Sequence, residues 1–243
     1  MHVSNFIVSD ERNLYDLFKN IDNIFNDGTT VHTDRNTTKK IHFQDRDFAV
    51  KSFKTPNLLQ RFGYANFKKP KAQRSLEFSH KIIDAGLHSP KPIGYVISIN
   101  NLQIQKSYYI SEFHSFEHDL VPVFDNFDKH IFLLNSFIKN IIIMHDQYIY
   151  HHDLTKRNIL INTSSDNNFS FVDNNRISFT KMSLKMRMES ISKLTNDISN
   201  LNKLATMYSN NSNYDTDQCI YYIQKGFKKS QRYKNVKNFL KGK

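Results

Sequence analysis

The stretch that most restricts what this chain can become is Tyr150-His151-His152-Asp153-Leu154-Thr155-Lys156-Arg157-Asn158, followed by the apolar run Ile159-Leu160-Ile161. It sets a carboxylate, Asp153, five residues before an amide, Asn158. Twenty residues after Asp153, a second apolar run, Phe169-Ser170-Phe171-Val172, ends in another carboxylate, Asp173. Two short apolar runs with a hairpin-sized gap read as strands, and they carry these groups at their ends. Phosphoryl transfer needs such a set. One carboxylate accepts the proton of an attacking hydroxyl, and further oxygen ligands hold the Mg²⁺ that bridges the phosphates. Asp153 is the candidate base, and Asn158 and Asp173 are candidate metal ligands. Taken alone, Asp153 serves equally well as a helix N-cap; the strand and second aspartate that follow weigh against that.

The chain upstream must then supply a nucleotide-binding half. Phe48-Ala49-Val50-Lys51-Ser52-Phe53 puts a lysine inside an apolar strand, a costly place unless the charge is used or snorkels out. It matches the kind of strand whose lysine grips the α- and β-phosphates. Lys71 to Ala85 has helical apolar spacing with Gly86 as its stop, and Glu77 in its middle is the predicted ion-pair partner of Lys51. A plain surface role for Glu77 is the rival, with Glu112 as another acidic partner. Thr30 to Val50 reads as strands around the polar turn Asp34 to Thr38. No G-x-G-x-x-G is present, so phosphate cover there would fall to backbone N–H groups and to Asn36 and Thr37; an ordinary surface hairpin fits as well.

Ile93–Ile99 and Leu102–Ile110 read as a hairpin turning at Asn100-Asn101. A short helix is predicted around Glu11 to Asn20. The strongest helix lies within Phe124 to His145, and others run Leu194 to Tyr208 and Thr216 to Phe227. His145 and His151 read as structural, His151 by bonding loop backbone. Lys181 to Arg187 reads only as a basic segment.

Composition narrows the setting. Hydrophobic residues make up 39% of 243, enough for a packed core rather than a disordered chain. The single cysteine, Cys219, excludes an intrachain disulfide and any cysteine-based zinc cluster. The most apolar window, Ile131 to Met144, is broken by Asn135, Ser136, Lys139 and Asn140 and is too short to span a bilayer. With no visible leader, a cytoplasmic protein is expected. The net charge of +11 favours anionic partners. It concentrates at Lys68, Lys69, Lys71 and Arg74, after a basic aromatic stretch with Arg61, Phe62, Tyr64 and Phe67, and in a tail from Lys225 to Lys243.

With these residues in place, the chain resembles the bacterial lipopolysaccharide-kinase group, in particular its Kdo-kinase-like members, within the protein-kinase-like superfamily. The resemblance runs from about Gly28 to the C-terminus. It is carried by Val50-Lys51-Ser52-Phe53, the Lys71-to-Glu77 helix leading to Ser89-Pro90-Lys91-Pro92-Ile93, the His151-to-Asn158 loop and Val172-Asp173-Asn174-Asn175-Arg176. It implies an α+β, protein-kinase-like, two-lobed fold in one domain over 1–243. A small β-rich N-lobe would span about 1–112 and a mainly helical C-lobe about 113–243, with Ser111 to His114 as the connection whose main chain meets adenine. It implies ATP and Mg²⁺ as cofactors and a Kdo or heptose hydroxyl of a lipopolysaccharide or lipid A precursor as acceptor. Peripheral contact with an anionic membrane surface is implied, and no nucleic acid. Lys51 would hold phosphates and Glu77 orient it, with Asn36, Thr37 and Glu112 also at the nucleotide. Asp153 would be the base, and Asn158 and Asp173 would bind Mg²⁺.

Asn174-Asn175-Arg176 stands where protein kinases carry Phe-Gly, His152 replaces their usual arginine, and no A-P-E segment follows. Control by an activation-loop phosphate and a protein-substrate platform are therefore not expected. Two other readings stay open: another small-molecule or protein kinase of this fold, and a catalytically silent module binding nucleotide or nucleic acid.

Overall fold

The computed structural model describes residues 4–55, 69–100, 103–162 and 169–240. Arg61, Phe62, Tyr64, Phe67 and Lys68, the turn residue Asn101, the predicted strand start Leu102, and the terminal Lys241 and Lys243 lie outside the described residues. The chain forms two compact units. One comprises Met1–Asp84, Ser89–Ser115 and Asp173–Asn175; the other Ala85–His88, Phe116–Val172 and Arg176–Lys243.

The first unit is built on an antiparallel six-stranded sheet. In chain order its elements are β1 (Ser4–Ser9), helices α1 (Tyr15–Lys19) and α2 (Ile21–Asp27), strands β2 (Thr29–Thr33), β3 (Thr37–Phe43) and β4 (Arg46–Ser52), helix α3 (Lys71–Asp84), and strands β5 (Pro92–Asn100) and β6 (Gln103–Glu112). The spatial order is β1-β5-β6-β4-β3-β2. Strand side chains alternate between faces, so Phe48 and Val50 share one face with Ile93, Val96, Tyr108 and Ile110. Against that face pack Leu14, Leu17, Phe18, Ile21 and Phe25 of the N-terminal helices. The predicted helix over 11–20 is a 3-10 turn at Arg12–Leu14 leading into α1, and α2 follows beyond it. Helix α3 serves the other face, where Ala72 joins Phe53 and Ile97. Its end is as expected, with Gly86 at φ +77, a left-handed conformation that only glycine adopts cheaply. Gly94 on β5 is required for a different reason. A Cβ there would lie 2.2 Å from the Val8 carbonyl oxygen and 2.7 Å from the Phe18 ring.

The second unit is mainly helical. It contains β7 (His118–Asp119), α4 (Val121–Asp125), α5 (Ile131–Asp146), β8 (Ile149–His151), β9 (Ile159–Ile161), β10 (Phe169–Phe171), β11 (Ile177–Phe179), α6 (Leu184–Ile191), α7 (Ile198–Asn210) and α8 (Thr216–Leu240). Strands β10, β9 and β7 form one small sheet, and β11 pairs with β8. Helix α5 buries Leu134, Phe137, Ile138, Ile141 and Met144 at helical spacing. Within the basic segment 181–187, α6 begins at Leu184, and Ser183 caps it by accepting from the Met186 N–H. Helix α8 continues well past Phe227, where the apolar pattern stops but no proline intervenes. Gly226 lets it lie close to α6, since a Cβ there would fall 2.9 Å from Ser192 Oγ and 3.1 Å from Glu189 Cα. Among the described residues no helix is long and apolar enough to cross a membrane.

Candidate active site residues

In the first unit, Lys51 sits one residue from the end of β4, opposite Thr38 on β3 and Tyr109 on β6. Its Nζ donates to Asp173 Oδ1 at 2.6 Å, with both side chains mostly buried. Asp173 has φ +58, a left-handed conformation in which aspartate is several-fold enriched over other side chains, and such residues gather at functional sites. Asn175 Nδ2 donates to the same carboxylate oxygen. Between them Asn174 is buried, its Nδ2 donating to Ser79 Oγ on α3 at 3.1 Å and to Ser89 Oγ at 3.0 Å. The turn that aims Asp173 at Lys51 is therefore tied to α3 by an amide.

The predicted Glu77–Lys51 pair is corrected. Glu77 accepts from Lys69 Nζ at 2.8 Å on both oxygens and from Gln73 Nε2 at 3.0 Å. Lys69 precedes α3 directly, so its ammonium reaches Glu77 locally, and Lys51 takes the carboxylate nearest its own tip. Thr37 needs a correction as well. It pairs with Ser52 while Thr38 pairs with Lys51, so the period of two sets the Thr37 side chain on the face away from Lys51. Asn36 Oδ1 accepts the Lys54 backbone N–H at 3.2 Å, which fixes the β2–β3 turn, and both residues line a cleft of about 320 Å³ with Ser52, Lys54 and Lys106. The Glu112 carboxylate is committed to Arg46 at 2.9 Å and Lys91 at 3.4 Å. Both cations also bind Glu11, whose carboxyl they hold down to about 2, Arg46 first. The Glu112 and Phe113 N–H groups donate to the carbonyls of Lys91 and Asp47, so the structure assigns those two hinge donors to the protein itself.

In the second unit the loop after β8 is pinned by its own side chains. His151 is buried, and its Nδ1 accepts from the Asp153 N–H at 3.2 Å, the structural role expected of it. Asn158 Nδ2 donates to the Asp153 carbonyl at 2.8 Å, and Leu154 is buried beneath. The Asp153 carboxylate is left half-buried, with Arg176 Nη1 3.2 Å from its Oδ2. Behind the loop, Lys193 Nζ donates to the His152 carbonyl at 3.1 Å. Burial lowers the pKa of Lys193, opposed by the charge of Asp153. Burial likewise lowers that of His152, helped by Lys193 and Arg176.

Both groups expected to hold Mg²⁺ offer the hard oxygens that this ion takes. Asp173 brings a carboxylate. Asn158 commits its amide nitrogen to Asp153, which leaves the amide oxygen as the atom it can give to a metal. No cluster of three or more His, Cys, Asp or Glu suited to a metal occurs among the described residues; an Mg²⁺ carried on substrate phosphates needs only one or two protein ligands.

A solved structure of WaaP in complex with acyl carrier protein matches the chain with a TM-score of 0.61, covering 94% of this chain and 99% of that one at 13% identity. The chain has the fold of WaaP. No protein-family model and no curated protein matches the sequence. The likeness to WaaP at this low identity is a likeness of architecture, the curled antiparallel sheet followed by a mainly helical half that the kinase-like reading called for.

Sequence reasoning named Lys51, Asp153, Asn158 and Asp173, and the structure gives each an ordered setting. It gave no role to Arg176, although that residue sits three positions after Asp173 in the quoted motif. Lys193 had no local signal at all, because its link to the loop is purely tertiary.

Proposed function

We propose that this protein transfers a phosphoryl group from ATP to a Kdo or heptose hydroxyl of a lipopolysaccharide inner-core or lipid A precursor. The observation that carries the reading is the Lys51–Asp173 pair. A lysine inside a sheet meets a carboxylate held in a left-handed turn far away in sequence, with fold and motif both pointing to a phosphoryl-transfer site. WaaP, a lipopolysaccharide core kinase, supports the class of acceptor.

In this reading Lys51 binds the phosphates and Asp173 and Asn158 hold Mg²⁺, which when bound neutralises charge developing on the transferred group. Asp153 orients the attacking hydroxyl and takes its proton. Arg176 fixes the rotamer of that carboxylate through Oδ2, leaving the other oxygen for the hydroxyl. The acceptor is a phosphate- and carboxylate-rich amphiphile, which suits the chain's positive charge and a place at an anionic membrane surface. The acyl carrier protein present with WaaP is a further partner to test.

The test is transfer from γ-labelled ATP with Mg²⁺ to a Kdo-bearing lipid A precursor and to its heptose-extended form. Asp153→Asn should lower the rate by about 10²–10⁴. Transfer that persists in the variant removes Asp153 as the base. Salt-dependent binding of DNA or RNA without ATP turnover replaces the kinase reading with the silent module.

A further inference from the structure

The outward face of α8 carries a surface that the phosphoryl-transfer reading does not use. At 100° per residue, Lys228, Tyr221, Arg232, Lys225 and Lys229 fall within about a third of the helix circumference, and all five are exposed. Tyr233, at the edge of this arc, is 70% exposed, and Val236, within it, is 58% exposed. The opposite face of α8 buries Cys219 and Ile223, so the helix is anchored and the cationic face has a fixed direction. From Gln218 to Lys243 the sequence has no Asp or Glu. Lys229 is the one cation of this set with an acidic partner among the described residues, Glu189 at 3.3 Å. Lys225 Nζ lies 3.3 Å from Tyr221 Oη and over the Tyr221 ring, which neutralises nothing.

Such a face is expensive to maintain. Like charges a turn apart repel, and beside them Tyr221 and Tyr233 leave much of their rings in water. We infer that the outer face of α8 is a membrane-docking surface that lies flat on anionic phospholipid, with its lysines and arginine on headgroup phosphates and Tyr221, Tyr233 and Val236 at the headgroup–acyl boundary. Charge complementarity favours an anionic occupant. The exposed Tyr and Val side chains then select among anions: tyrosine is at home at a bilayer interface, cationic stems lie along apolar surface with their heads in the polar layer, and an exposed valine gains from a bilayer what a phosphate backbone cannot offer. The inference deepens the proposed place at an anionic membrane surface and rests on that part of the reading; its test needs no substrate, so its failure and that of the phosphoryl-transfer reading are told apart.

The experiment is co-sedimentation of the full chain with vesicles mixing phosphatidylcholine and phosphatidylglycerol, against phosphatidylcholine alone. A basic side chain at such a surface is worth about fivefold in partitioning, so Lys225→Gln/Lys228→Gln/Arg232→Gln together should weaken binding on the order of 100-fold. Tyr221→Ser/Tyr233→Ser should weaken it further at a salt concentration where the charge contribution is already screened. These positions are exposed, so circular dichroism and any phosphate transfer to a soluble acceptor should stay unchanged. Equal binding to neutral vesicles, or anionic-vesicle binding untouched by the triple substitution, overturns the inference. So does a triple substitution that abolishes binding to purified acyl carrier protein or to nucleic acid while leaving vesicle binding intact.

Discussion

His145 should make this protein lose stability as the pH falls from neutral to about 5. The imidazole is buried at the C-terminal turn of α5, with Nδ1 3.1 Å from Tyr208 Oη and Nε2 2.9 Å from Ser190 Oγ. Ser190 Oγ donates to the Arg187 carbonyl, so it must accept from Nε2–H, and Nδ1 then accepts from the Tyr208 hydroxyl. Arg187 Nη1 donates to that same hydroxyl at 2.9 Å. The network is complete for a neutral ring and has no place for a second ring proton. Burial, with a smaller push from Arg187, holds His145 down to about 3. The unfolded chain takes up this proton near the ordinary histidine value of about 6.5, so below that pH the unfolded state binds more protons and stability falls. At pH 5 the loss is about 2 kcal/mol, and it depends on the unfolded value alone while the native value stays far below. Glu11 does not enter this window, since its lowered carboxyl begins to matter only as the pH drops through 4.5 towards 2. Urea unfolding followed by circular dichroism at about pH 7.5 and about pH 5 measures the effect. With a slope of roughly 2–3 kcal/mol per molar for a chain of this size, the midpoint should move by just under ~1 M. His145→Gln removes this titrating group, and its midpoint should move less by that amount; His152, also lowered by burial, titrates in both proteins and cancels in the comparison. An equal shift in the variant, or no shift in the parent protein, refutes the reasoning.

Three further outcomes follow from the geometry. Glu77→Gln should change phosphate transfer by less than about fivefold, because its partner is the exposed Lys69 and such pairs are worth about 0–1 kcal/mol; a loss comparable with that of Lys51→Met would show that Glu77 moves to Lys51 during turnover. Arg176→Gln should lower kcat by about tenfold, the weight of one part-exposed charged hydrogen bond, with Arg176→Lys between the two and thermal stability unchanged; an effect confined to KM would assign Arg176 to the acceptor instead. Gly94→Ala should destabilise the chain by about 2–4 kcal/mol through the clash with the Val8 carbonyl and the Phe18 ring, read as a lower unfolding midpoint; wild-type stability would mean that β1 does not lie against β5 as described.

The sequence made strands β2 to β6 and the long helices readable because each carries one period, whereas β1 carried no reading. Phe48 and Val50 alternate with Ala49 and Lys51, and Leu134, Phe137, Ile138 and Ile141 recur at helical steps. The loop after β8 was readable because its contacts depend on local spacing, and Asn158 reaches back five residues to Asp153. What resisted was chosen by tertiary distance. Glu77 occupies a mid-helix place suited to Lys51, yet Lys69 is nearer and Asp173 nearer still to Lys51. Thr37 and Thr38 are chemically alike, and only the register with Ser52 and Lys51 tells which one shares a face with the lysine. Helix α6 was hidden because Lys185 and Arg187 broke the apolar pattern, although the buried Arg187 is a structural member held by Asp146 and Tyr208.

The first compact unit is not a continuous piece of chain: its last three residues, Asp173–Asn175, arrive from beyond most of the second unit's strands. During synthesis Lys51 is complete long before its counter-charge exists. A ribosome pausing between residues 112 and 173 therefore carries a sheet whose Lys51 has yet to meet Asp173 and whose α3 has not received Asn174. The unit cannot be cut out at residue 115 and keep the Lys51–Asp173 pair, and a split-protein design that divides the molecule there would make assembly of that pair a direct reporter that its two fragments have met.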